Sequence, residues 1–345
     1  MSSHVIYENE ILENKMNDLM ETRLGVRSLM TVDDTLRESA GLRKTVNRYT
    51  YNGVVETLGR GEANSTKGTV TFTPNHYNVK RYQQTFSYND LDVMQDPYLL
   101  DVAMNGAAAV MANQIADEYF AELNKIGNRH ALSGDHFTYS DIVDALSTLG
   151  REVESDLFIL MGADARADIR KDTDFIAAKQ GEIVYSGQFG TVCGIPVLFS
   201  KKVPTGKMIL TNKSAVRFFV KRESSLEQDR NIETKDNTVV YERHGLIALV
   251  DDTSSVIIGA GADTLNLLAT MSEDGNTISV SEALTPGNSY RVGIGMDMAL
   301  LGDDLSHLPV WNGTDPIVAK PGQTIIVAEC NADGACVKCG MAIAA

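Results

Sequence analysis

Basic residues are scarce in this chain relative to acidic ones. Its 345 residues carry 31 lysines and arginines against 46 aspartates and glutamates, a formal net charge of −15. A summed field of that sign repels nucleic acid and anionic membranes at long range, so no sequence-specific nucleic-acid partner is expected. Cysteine is also sparse: Cys193, Cys330, Cys336 and Cys339 are the whole complement. Four thiols in a chain this long do not make a disulfide scaffold, and reduced cysteines are the expectation. No stretch approaches the roughly 18 apolar residues of a membrane helix. The opening Met1-Ser2-Ser3-His4 has no basic segment leading into an apolar run, so no membrane partner is expected and synthesis in the cytoplasm is.

The signatures of catalysis are missing as well. The six histidines, His4, His76, His130, His136, His244 and His307, form no H-E-x-x-H or comparable spacing. There is no Gly-x-Ser-x-Gly elbow and no Gly-x4-Gly-Lys phosphate loop. Gly259-Ala260-Gly261 and Gly293-Ile294-Gly295 lack the third glycine of a dinucleotide site and read as turns. Asp251-Asp252 and Asp303-Asp304 are adjacent carboxylates, and adjacent side chains point apart, which is unsuited to paired acid and base catalysis. Cys330, Cys336 and Cys339 form C-x5-C-x2-C, three soft metal ligands with no fourth nearby, the nearest upstream histidine being His307. Small apolar thiols in a terminal strand over 335–344 are the better reading. The expectation is a protein without enzymatic activity or cofactor.

What the chain does contain is order of a different kind. Ile11, Leu12, Met16, Leu19, Met20 and Leu24 recur at helical spacing over residues 8–24. Mixed charge continues to residue 48, so 1–48 reads as an arm that packs on a neighbour or floats. Residues 49–90 read as an extended hairpin, with strands at 69–73 and 79–88 and a tip, Gly59 to Gly68, too polar to fold back on a core of its own. A long helix over 97–127 opens at Pro97 and places Leu100, Met104, Ala108, Met111, Ile115, Tyr119, Leu123 and Ile126 on one stripe. A helix capped by Ser140 runs to Leu149, a buried strand covers 157–161, and a short helix covers 163–171. A hairpin within 183–200 turns at its Gly-x-Pro, and further strands follow at 208–210, 216–220, 238–241, 246–250 and 256–258. Beyond residue 259 the composition changes: 260–345 holds three basic residues against ten acids and no phenylalanine. Turn signals recur there at Asp274-Gly275, Pro286-Gly287, Asn312-Gly313 and Pro321-Gly322, and an all-β sandwich or barrel is expected.

This order of elements resembles the major capsid proteins of tailed phages, the Hong Kong 97-type fold. Two patterns carry the likeness further: Gly190-Thr-Val-Cys-Gly-Ile-Pro-Val-Leu-Phe-Ser200, and the run from Arg222-Glu223 through Asp229-Arg230 to Glu242-Arg243-His244-Gly245 and Val250-Asp251. The resemblance implies an α+β architecture made of an N-terminal arm (1–48), an extended loop hairpin (49–90), a peripheral-domain spine helix (91–129), an axial domain (130–218) and peripheral-domain return strands (219–259). To these is added an appended C-terminal all-β domain (260–345). It implies a shell subunit that self-assembles as hexamers and pentamers into an icosahedral head around double-stranded DNA, made in the host cytoplasm and resident in the virion. The same fold also builds encapsulin nanocompartments, which is the alternative. A portal is an implied partner. Because the hairpin begins near residue 49, no room remains for a built-in scaffold segment, and a separate scaffolding protein is expected. Arg60, Glu62, Lys67, Tyr82 and Phe86 are the expected intersubunit contacts. Lys67, the one lysine at the tip, occupies the place where some relatives link a lysine covalently to a neighbour's asparagine.

Overall fold

The computed structural model describes residues 9–23, 25–53, 55–59, 62–151, 153–172, 190–272 and 275–344. The chain divides into two compact units, one formed by residues up to Tyr119 together with Val216–Asp251, the other by Phe120–Ala215 together with Asp252 onward.

The first unit is built on a four-stranded sheet in the order β1 (Thr31–Asp33), β10 (Val216–Arg230), β11 (Asp236–Leu249) and β4 (Lys80–Asn89). The long β10–β11 ladder is antiparallel, and β4 extends it antiparallel on one side while β1 runs parallel to β10 on the other. Gly245 in β11 is a position where only glycine fits: a Cβ there would meet the Phe219 carbonyl at 2.8 Å. Helix α1 (Asn9–Arg23) lies against β10 with Leu12, Met16 and Met20 buried, and its Asn17 Oδ1 accepts from the Tyr241 hydroxyl at 2.8 Å. The expected arm is therefore packed on its own chain here, because its apolar stripe finds the sheet that its charged stripe does not need.

The hairpin differs from the expected one. Its ladder is β2 (Arg43–Asn52) with β3 (Thr69–Asn78), paired antiparallel from Arg43↔Asn78 to Asn52↔Thr69 as a two-stranded sheet of its own. Residues 79–88, expected as the second hairpin strand, instead form β4 and pair with β11 about 150 residues away. The cause is the alternation of β4: Tyr82 is buried and Phe86 and Tyr88 half-buried on one face, while the intervening residues are exposed, the signature of a strand that covers a core on one side. Val46 and Tyr77 at the base of the β2–β3 hairpin join Leu36, Phe219 and Leu246 in a small cluster. After the short helix α2 (Asp90–Gln95) comes α3 (Leu99–Leu123), shorter at both ends than the expected 97–127; every residue of the expected stripe is buried, Ile126 just beyond the helix end, and the chain passes from the first unit into the second near the C-terminus of α3.

The second unit holds a six-stranded sheet in the order β5 (Arg129–Ala131), β12 (Val256–Gly259), β9 (Lys207–Asn212), β6 (Leu157–Met161), β8 (Ile195–Phe199) and β7 (Thr191–Val192). Helices α4 (Tyr139–Leu149) and α5 (Ala163–Lys171) pack on it through Ile142, Ala145, Ala165 and Ile169. The cap of α4 is Thr138 rather than Ser140: Thr138 and Asp141 exchange hydrogen bonds in a capping box, worth about 1 kcal/mol. The β7–β8 turn is made by Cys193 and Gly194, at φ 52° and 78°, and not by the Gly-x-Pro, whose Pro196 lies within β8. Two positive φ values in a two-residue loop match the right-handed twist of the strands they join. Residues 183–189 of that expected hairpin lie outside the described residues. Strand β12, expected with the return strands of the first sheet, pairs instead with β5 and β9, since Val256, Ile257 and Ile258 are apolar on both faces and require a centrally placed strand.

From residue 260 onward every regular element among the described residues is a strand. β13 (Asp263–Thr264), β19 (Cys336–Ile343), β18 (Thr324–Cys330), β16 (Ser289–Ile294) and β17 (Val310–Trp311) form a five-stranded sheet, with β14 (Leu267–Ser272) and β15 (Gly275–Val280) as a separate pair. This region belongs to the same compact unit as 120–215. One link is a buried ion cluster: Arg129 Nε donates to Asp303 Oδ2 at 2.8 Å, and Lys207 Nζ donates to Asp303 Oδ1, all three side chains 4% exposed or less. One carboxylate faces two cations, and the carbonyls of Asn124 and Asn128 accept further donors of Arg129 while that of Gly302 accepts from Lys207.

Candidate intersubunit contact surface

The hairpin β2–β3 is anchored at its base and uncovered beyond it. Cross-strand pairing places Tyr49 opposite Phe72, with ring centroids 6.3 Å apart, and Val70 lies two residues along on the same face. Tyr49 is 67% exposed, Phe72 61% and Val70 63%. A folded monomer gains little from leaving three large apolar side chains together in water, and such patches mark interaction sites. Leu42 at the start of the ladder and Val55 and Leu58 near the tip are exposed as well.

The tip is ordered by its own polar groups. Glu56 accepts from the Ser65 amide, the Ser65 hydroxyl and the Thr66 amide at 2.7 to 2.8 Å, tying the outgoing and returning segments together. The Ser65 hydroxyl and amide, followed by the donors of Thr66, hold the Glu56 carboxyl down at about 2. Glu62 accepts from the Gly59 amide at 2.7 Å, and Lys67 is exposed. Arg60 lies outside the described residues. Of the expected contact residues, Glu62 and Lys67 thus sit on one small loop. Tyr82 is elsewhere: on β4 it is 5% exposed, its hydroxyl donating to Glu118 Oε2 at 2.7 Å, so its own chain already covers it and it offers no surface to a neighbour. Phe86, opposite Val239, is half-buried on the same face of β4. The residues that reasoning from sequence missed are Tyr49, Phe72 and Glu56. Alternation of tyrosine with polar residues over 43–52 was the available signal for the first two.

Cys330, Cys336 and Cys339 line one small apolar cluster with Ala299, Leu305, Ile326 and Ala328. Burial pushes the Cys330 thiol up to about 11, whereas Cys339 is lowered because it accepts hydrogen bonds from the Cys336 thiol and the Ala299 amide. Among the described residues no group of three or more His, Cys, Asp and Glu side chains is arranged to hold a metal ion. Asp303 and Asp304 serve different partners, the first the buried cations and the second the Ser306 amide. Among the described residues no helix is long and apolar enough to cross a membrane.

The chain is 24% identical over 272 residues to the major capsid protein of Staphylococcus phage phiMR11, covering 75% of this chain and 95% of that one. Among solved structures, the capsid of cyanophage P-SCSP1u superposes with a TM-score of 0.52 at 15% identity, covering 67% of this chain and 86% of the other. The holo-SrpI encapsulin complex from Synechococcus elongatus PCC 7942 superposes with a TM-score of 0.51 at 13% identity, covering 75% and 91%. Those two likenesses share the fold. The family model described as phage capsid protein matches residues 73–258, more than half of the sequence, and this chain accordingly belongs to the phage capsid protein family.

Proposed function

We propose that this phage major capsid protein builds an icosahedral head from hexamers and pentamers around the double-stranded DNA of a tailed phage, and that the β2–β3 hairpin docks on a neighbouring subunit. The exposed Tyr49–Val70–Phe72 face carries the reading, because it is an apolar surface on a two-stranded sheet that a second chain would cover. In the terms of the resembled fold, α3 is the spine helix, the first unit contributes the peripheral domain and the six-stranded sheet the axial domain. The family match ends at residue 258, which supports reading 260–345 as an addition to the shared fold, and its acidic, turn-rich makeup supports display on the outside. Glu62, Lys67 and Arg60 at the tip meet charges on the neighbour. Each such exposed ion pair is worth about 0 to 1 kcal/mol, so the aromatic face supplies the affinity and the tip the register. A separate scaffolding protein directs curvature, a portal occupies one vertex, and assembly takes place in the host cytoplasm.

The test is to express the chain alone and with its candidate scaffolding protein and to examine both by sizing and negative-stain electron microscopy. Closed shells that require the second protein are expected. A monomer that never assembles with any such partner would overturn the proposal, and small uniform shells formed by the chain alone around a protein cargo would replace it with a nanocompartment.

A further inference from the structure

Three of the four cysteines face one another on one side of the terminal hairpin. Cys330 ends β18 and Cys336 begins β19, and the two are cross-strand partners. The turn between them is closed by Asn331 N donating to the Ala335 carbonyl at 3.0 Å, whereas Cys336 N donates to the Asp303 carbonyl at 2.8 Å and not to Cys330. Cys330 and Cys336 therefore occupy the non-hydrogen-bonded position of the ladder, where opposed Cα atoms approach to about 4.5 Å. A disulfide spans Cα separations of about 4.4 to 6.8 Å. Cys339, opposite Ala328, shares the face because the ladder shifts register between Glu329 and Cys330. It lies three residues along the same strand from Cys336 and its sulfur accepts from the Cys336 thiol, so Cys336–Cys339 is the competing pairing; the directly opposed Cα atoms of Cys330 and Cys336 favour the cross-strand bond over one between residues of a single strand.

We propose that Cys330 and Cys336 are an oxidation site that closes to a cross-strand disulfide, leaving Cys339 as a free thiol. The thiolate of one cysteine attacks a sulfur of a low-molecular-weight disulfide such as oxidised glutathione and expels one glutathione thiolate. The second cysteine then attacks the protein sulfur of that mixed disulfide and expels the other. Two thiol protons and two electrons leave the protein, and one glutathione disulfide becomes two glutathiones. The chemistry belongs to the chain itself. Its setting rests on the shell reading, in which a subunit folds in a reducing cytoplasm and is later released into an oxidising medium. Both thiols are almost wholly buried, so the reaction requires local opening of the adjacent turn, and burial of the Cys330 thiol keeps it slow at neutral pH. Once formed, the bond would staple the terminal strand beside the Asp303 carbonyl and so fix the loop that carries the buried ion cluster.

The experiment uses the full chain with Cys193→Ser, treated with oxidised glutathione at mildly alkaline pH, then denatured, alkylated and digested with trypsin, which cuts after Lys338. Cys330 and Cys336 fall in one peptide and Cys339 in the next. The expected result is a peptide ending at Lys338 that is unalkylated and lighter by two hydrogens, with Cys339 alkylated, and with Cys330 alkylated again in Cys336→Ser. Two peptides joined through Cys339, a reaction that stops at a glutathione adduct, or both cysteines alkylated after prolonged oxidation would each overturn the proposal. Assembly is not required for this measurement, so its failure leaves the shell reading standing.

Discussion

Two antiparallel hairpins in this molecule have nearly the same local construction and opposite surroundings. The β2–β3 ladder pairs ten residues with ten and leaves Tyr49, Val70 and Phe72 more than half exposed. The β18–β19 ladder is of similar length, and Ile325, Ile326, Val327 and Ala328 are fully buried in it. Strand pairing alone does not account for the difference. β18 is flanked by β16, and both of its faces are covered, by Trp311, Tyr290 and Ile317 on one side and by the 296–308 loop on the other. β2–β3 forms a sheet of two strands, which is marginal by itself in water. A ladder whose cover comes from its own chain stabilises a fold, and a ladder whose cover is missing is available to another chain.

This contrast can be attacked at several points. The largest effect is expected at the covered end, where Asp303→Ala leaves Arg129 and Lys207 buried without their carboxylate. Loss of one partner from such a cluster costs about 3 to 5 kcal/mol, read as a lower urea midpoint. The same cluster sets a pH dependence. Burial pushes the Asp303 carboxyl up, but Arg129 and Lys207 outweigh it and hold it below its usual value. A group whose folded pKa is depressed contributes stability that is fully present above its unfolded pKa, about 3.9, and is lost as pH falls through the lower folded value. Thermal melts between neutral pH and pH 2 should therefore show a decline in acid that is smaller in Asp303→Ala.

Next in size is Ile326→Ala in the covered ladder, expected to cost about 2 to 5 kcal/mol because it opens a cavity. The matching change in the uncovered ladder, Phe72→Ala, should alter the stability of the unassembled chain by about 0.5 kcal/mol or less. Equal losses in the two variants would break the comparison. The smallest effect is local. Glu56→Ala should speed hydrogen exchange at the Ser65 and Thr66 amides without moving the global melting temperature. Protection unchanged in that variant would show that Glu56 does not order the tip.

How much of this was legible in the sequence depended on whether an element is defined by near or by distant neighbours. Helix α5 and strand β6 emerge with their observed bounds, and the stripe of α3 emerges from Leu100 to Leu123, since a 3.6-residue repeat needs no partner to be recognised. The hairpin does not. The next apolar alternation after its expected first strand, residues 79–88, belongs instead to a strand paired with β11, about 150 residues away. Likewise β10 and β11 emerge only as apolar fragments, because β10 is polar from Glu223 onward and β11 is interrupted by Glu242-Arg243-His244-Gly245. The charged tip signals a need for a partner by its polarity alone, while the aromatic pair below it is masked by the threonines, arginines and asparagines around it. The role of Asp303 had no local signal, as its two cations stand 174 and 96 residues away in sequence.

The measurement that bears most directly on the central claim is the accessibility of position 72 before and after assembly. In a chain carrying Phe72→Cys and Cys193→Ser, a maleimide should label residue 72 readily in the unassembled subunit, and that labelling should fall at least tenfold in finished shells. Equal labelling of subunit and shell would contradict the claim, because the aromatic face would then remain uncovered in the assembly it is held to build.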